Sequence, residues 1–177
     1  MCIRDRAEIE LDANGEFVRN PGVDLVKVAV VERHQGTGNV ACGFLKGYGI
    51  KEGAVALSVA HDSHNIIVVG VNDEEMEFAV NSLIEQEGGI VLVKEGKVIE
   101  SMPMPIAGLM SDQSGEWVDQ KLTDIHEKAY EELGICGDVE PVMTLCFMSL
   151  AVIPEIKLTD MGLFDVTTFS FIPVEVE

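Results

Sequence analysis

A chain of 177 residues, 47% apolar and 24% charged, is long enough to bury a core and too apolar for a disordered tail. Its 31 acids against 12 bases leave a formal charge of −19, which repels a phosphate backbone and excludes nucleic acid as a partner. No uncharged run reaches the ~18 residues of a membrane helix, and the N-terminus lacks the basic-then-apolar order of a secretory signal, so no membrane partner and a cytoplasmic location are expected.

Residues 1–23 read as a non-native or poorly defined leader with a first strand region, and residues 24–177 as one domain. The opening Met1-Cys2-Ile3-Arg4-Asp5-Arg6 has the spelling of translated sequencing-adapter bases, which makes the chain the tail of a longer protein. Residues 24–31, rich in Val, predict a buried strand that ends in the polar Glu32-Arg33-His34-Gln35. Gly36-Thr37-Gly38-Asn39 is turn chemistry, and residues 40–45 return as a second strand. Glycines 43, 47, 49 and 53 follow with no phosphate-cradle spacing. Residues 54–59 alternate, Val55, Leu57 and Val59 on one face against Ala54, Ala56 and Ser58 on the other, and the small face predicts close packing against a neighbouring element.

Residues 66–71 are apolar on both faces, which places them centrally in a sheet. Asn72 or Asp73 caps a helix whose stripe is Met76, Ala79, Val80, Leu83 and Ile84, and Gly88-Gly89 stops it. Residues 90–93 and 98–100 flank a hairpin turn, Met102-Pro103-Met104-Pro105 breaks the sheet, and residues 106–110 suit a tight contact. Residues 115–133 carry a second stripe ended by Gly134, with His126 at its boundary. Pro141 opens a short buried segment over 142–150, helix or strand, and the tail from 153 holds short strands around Asp160-Met161-Gly162. The fold class expected is α+β: one domain, a mixed and mostly antiparallel sheet with helices packed on it.

Four cysteines, at 2, 42, 136 and 146, have neither CxxC spacing nor disulfide-scaffold density and read as reduced thiols; Cys42 and Cys146 sit in apolar runs as small hydrophobes. The chemistry concentrates in Ala60-His61-Asp62-Ser63-His64-Asn65, between two apolar strands. Three readings stay open for it. His61, Asp62 and His64 have the ligand types of a zinc, manganese or iron site, although residues three apart on an extended chain face opposite ways unless the loop curls. Alternatively, His61, Asp62, Ser63 and Asn65 fix the turn through backbone hydrogen bonds. Or the loop offers donors and acceptors to a polar heterocycle, joined by Glu32, Arg33 and His34 at the same sheet end.

The segments Glu-Arg-His at 32–34, Gly-Thr-Gly-Asn at 36–39, Gly-Ala-Val-Ala at 53–56, Val-Ala-His-Asp-Ser-His-Asn at 59–65 and Val-Gly-Val-Asn-Asp-Glu-Glu-Met at 69–76 together resemble the C-terminal domain of bacterial adenine deaminase, in the amidohydrolase superfamily. Gly-Gly-Ile-Val at 88–91, Pro-Ile-Ala-Gly-Leu-Met-Ser at 105–111 and Val-Ile-Pro-Glu-Ile-Lys-Leu-Thr-Asp at 152–160 extend the likeness from Asp24 to the end.

The resemblance implies hydrolysis of adenine to hypoxanthine and ammonia in purine salvage, with a divalent metal (manganese, iron or zinc) and a general acid/base carried by a preceding (β/α)8 barrel. This chain has no His-x-His of a first barrel strand and cannot hold a barrel of ~250 residues as well as this domain. The resemblance therefore implies no catalytic residue, no metal ligand and no bound cofactor in this chain, and inactivity of the chain alone. His61, Asp62, Ser63, His64 and Asn65, with Glu32, Arg33 and His34 beside them, are the expected contributors to substrate binding or the active-site mouth. The expected partners are the barrel and adenine; a stand-alone purine-binding module and a homo-oligomer are the alternatives.

Overall fold

The computed structural model describes residues 7–175, so the reading of Met1–Arg6 lies outside the described residues. Two short strands, β1 (Glu10–Leu11) and β2 (Phe17–Val18), form a hairpin in the stretch read as leader. The main sheet has six strands in the order β4-β3-β6-β5-β7-β8: β3 (Leu25–Val31), β4 (Val40–Lys46), β5 (Ala54–Leu57), β6 (Ile66–Gly70), β7 (Gly89–Lys94) and β8 (Lys97–Pro103). Every pairing is antiparallel. Strands β6 and β7 run parallel to each other with β5 between them, and such a connection needs a crossover. Helix α1 (Asp73–Glu85) supplies it. The fold class is α+β, as the sequence predicts.

The two faces of the sheet differ in side-chain size. On one, Ala54, Ala56, Val68 and Val91 pack with Ala79 and Leu83 of α1. The alanines let the helix approach closely, which is the contact that the small face of residues 54–59 predicts. On the other face, Val55, Leu57, Ile67, Val69 and Leu92 pack with Ile125 and Ala129 of α2 (Gly115–Glu131) and with Leu145 of α3 (Pro141–Cys146). Leu158 joins this layer from β9 (Ile156–Thr159), which pairs with β10 (Gly162–Asp165) and then β11 (Ser170–Ile172) in a separate three-stranded sheet. Leu57 and Ile67 are wholly buried, so the walls carrying the 58–65 loop are its best-packed neighbours.

Three local readings are corrected. Helix α3 ends at Cys146 rather than continuing to 150, because the Cys146 and Met148 carbonyls accept from His61 N–H at 2.8 Å and Leu158 N–H at 3.0 Å instead of from the next helical turn. Ile84 is exposed, since one residue beyond buried Leu83 turns about 100° off the stripe. Cys42 is exposed as well: its partner in the ladder is Ala29, on the α1 side, and α1 packs over β5, β6 and β7 rather than β4. No helix among the described residues is long and apolar enough to cross a membrane.

Candidate functional site

The register of β3 with β6 pairs Val31 with Ile66, so the residues that leave β3 lie beside those that enter β6. Glu32, Arg33 and His34 therefore meet Ser63, His64 and Asn65 at one end of the sheet. The Arg33 N–H donates to Asn65 Oδ1 at 3.3 Å, its Nε to the His64 carbonyl at 2.5 Å, and its Nη2 to the Ala107 carbonyl at 2.9 Å. One half-buried guanidinium thus braces three loops without a carboxylate, and the lost hydration lowers its pKa from the ordinary value. His34 Nε2 donates to the Ser63 carbonyl at 2.7 Å.

Glu32 is turned into its own turn. Its Oε1 accepts from the backbone of His34 at 2.5 Å and Gln35 at 2.7 Å, and its Oε2 from the N–H and hydroxyl of Thr37, both at 3.0 Å. These donors, the Thr37 and Gln35 N–H first, hold the carboxyl down at about 2. It is an anchor for the 32–39 turn rather than a group aimed outward.

The 61–64 segment does curl. His64 N–H donates to the Ala60 carbonyl at 2.6 Å, His64 adopts a φ of 52°, and the His61 and His64 rings meet edge to face with centroids 5.7 Å apart. His61 also lies 5.0 Å from the Phe147 ring. The His64 Nδ1 is enclosed without a hydrogen-bond partner, and burial first, then the charges of His61 and Arg33, lower its pKa below the ordinary 6.5. The candidate residues divide by this geometry. Ser63 and Asn65 hold the turn, with Ser63 Oγ accepting from Asn65 N–H at 3.4 Å. Asp62 is exposed and makes no hydrogen bond to another described residue, and His61 meets its neighbours through its ring.

Two elements that sequence reasoning did not attach to this end complete it. Asn65, 4% exposed, donates through Nδ2 to Asp160 Oδ1 at 3.1 Å and ties in the β9–β10 turn. Buried Ser58 donates to the Gly108 carbonyl at 2.6 Å and accepts from Gly89 N–H at 2.8 Å, which fixes the 104–110 loop against β5 and β7. The segments holding Gly108 and Asp160 were part of the family likeness, and that was the one signal for them.

Among the described residues no three His, Cys, Asp or Glu side chains come together to hold a metal ion. The curl of the loop brings two imidazoles close but supplies no third ligand, so the residues present do not fit the metal of the resemblance. Nor does a thiol offer a nucleophile here: burial pushes Cys146 up to about 11.

The family model of the adenine deaminase C-terminal domain matches residues 2–170. This chain belongs to that family. It is 72% identical over 167 residues to adenine deaminase 2 of Desulfotalea psychrophila, 94% of this chain and 29% of that protein. It is 49% identical over its whole length to an adenine deaminase of Ligilactobacillus salivarius, of which it covers 31%, and 53% identical over 169 residues to one of Nitratidesulfovibrio vulgaris, of which it covers 29%. The chain spans less than a third of the length of these family relatives.

Proposed function

We propose that this chain is the C-terminal portion of an adenine deaminase, a hydrolase that converts adenine and water to hypoxanthine and ammonia in cytoplasmic purine salvage, and that it packs on and helps close an active site built by the preceding barrel. The observation that carries the reading is the family match over residues 2–170 in relatives more than three times as long. The braced loops at the sheet end support it, because they hold exposed Asp62 and half-buried His61 on a rigid frame. The manganese, iron or zinc of the intact enzyme would belong to the barrel, and no step through it is assigned to residues of this chain.

The test has two arms. The purified chain should release no ammonia from adenine above background and show no adenine binding by calorimetry; micromolar binding would instead mark a free-standing purine-binding module. Grafted in place of the corresponding segment of the Desulfotalea enzyme, the chain should sustain deamination. In that chimera His61→Ala with Asp62→Ala should lower kcat/KM by about tenfold or more while the melting temperature moves by no more than about 2 °C. Turnover by the isolated chain that survives metal chelation and is lost on His61→Ala would overturn the assignment of chemistry to the barrel.

A further inference from the structure

We infer that the loop-bearing end of the six-stranded sheet is an interface, and that its occupant is the part of an adenine deaminase chain that precedes this domain. The inference rests on the function proposed above and adds to it a specific face. Four large apolar side chains project at this end from three separate turns: Val40 at the start of β4, Ile106 and Met110 on the 104–110 loop, and Met161 on the β9–β10 turn. Met110 is 58% exposed and Met161 70% exposed. The same end carries Arg33 and three of the chain's 4 histidines, in a molecule whose net charge is −19. Several large apolar side chains left exposed together beside polar groups mark a surface that another protein covers.

The turns are also fixed before anything binds. Arg33, Ser58 and Asn65 tie them to one another through carbonyl, amide and carboxylate contacts, so a partner meets a formed surface and orders little on docking. At the opposite end of the sheet the charged side chains of Arg19 and Asp24 are engaged by this chain's own backbone, although Val23 and Val98 are each 45% exposed there. There Arg19 donates to the carbonyls of Ile50 at 2.7 Å and Lys51 at 3.1 Å, and Gly49 N–H donates to Asp24 Oδ1 at 3.0 Å. The occupant follows from length: the relatives carry more than two thirds of their chain outside this domain, and the family description makes this the C-terminal part.

A competing apolar patch lies elsewhere, at Phe169, which is 79% exposed beyond β10. It makes the inference testable by contrast. Hydroxyl-radical footprinting would be run on this chain alone and on the chimera with the Desulfotalea enzyme, reading oxidation of Met110, Met161 and Phe169 by mass spectrometry. Both methionines should label at least about fivefold more slowly in the chimera, and Phe169 at the same rate in both. Equal labelling of Met110 and Met161 in the two proteins, or protection of Phe169 in their place, would overturn the inference. Ammonia release by the same chimera separates the two claims: deamination with an unprotected rim leaves the function standing and removes this face, and no deamination by a folded chimera with a protected rim removes the function and leaves the face.

Discussion

The two ends of the sheet are each braced by an arginine that binds backbone carbonyls, and they differ in what surrounds it. At the end where β3 begins, Arg19 caps Ile50 and Lys51, and Gly53 lets the chain pass against β7. Its polar groups serve the backbone. At the other end Arg33 does the same for His64 and Ala107, yet Asp62 and His34 stand exposed around it, with half-buried His61 beside them. One end closes the fold, and the other presents side chains on a closed frame. The difference teaches that bracing alone does not mark a site; bracing with polar side chains left facing solvent does.

A pair of glycine substitutions sharpens this contrast most. A Cβ on Gly53 would lie 2.0 Å from the Val93 carbonyl oxygen, whereas a Cβ on Gly108 would meet Arg33 Nη1 at 2.9 Å. Both glycines have positive φ, 68° and 73°, which an alanine adopts at a cost. A backbone oxygen in a central ladder cannot retreat, and a side-chain tip can. Gly53→Ala should therefore destabilise by about 3 kcal/mol or more, and Gly108→Ala by about 1–2 kcal/mol, in urea melts followed by circular dichroism. Equal losses would mean that the loop end is as rigid as the closed end.

Next in size is Ser58→Ala. It strands the Gly89 N–H and the Gly108 carbonyl inside the protein, and should cost about 1–3 kcal/mol. Its distinguishing sign is local: amide exchange should accelerate over residues 104–110 and remain unchanged around Arg19. Uniform acceleration would show that the loop is not separately anchored.

The smallest effect expected is on pH dependence, and between pH 7.5 and 5 it is carried at the loop end by His64. The folded protein holds His64 below its ordinary 6.5 and the unfolded chain does not, so its share of stability is complete above pH 6.5 and falls away as the pH drops below that value. Glu32, held at about 2 against an ordinary 4.5, contributes above pH 4.5 and loses that contribution as the pH falls towards 2. Melting temperatures between pH 7.5 and 5 should decline less steeply in His64→Gln than in the parent. An identical slope would show that His64 is not the group responsible.

Much of this architecture was legible in the sequence because strand runs bounded by glycine and polar clusters give both the hairpins and their tips. The alternation Val55, Leu57 against Ala54, Ala56 even indicated which face takes the closer-packed neighbour. Closure of the loop end was not legible. The contact from Arg33 to Ala107 spans 74 positions and that from Asn65 to Asp160 spans 95, and no local pattern encodes which distant turn a side chain reaches. Glu32 shows the same gap in reverse: its type suggested an outward-facing group, and the tight 34–37 turn claimed both of its oxygens.

The Arg33 brace joins a guanidinium, which keeps its proton in proteins, to peptide oxygens that never ionise. This one brace is thus independent of the titrating imidazoles and carboxylates around it. The groups around this brace can gain or shed charge while the brace itself stays in place.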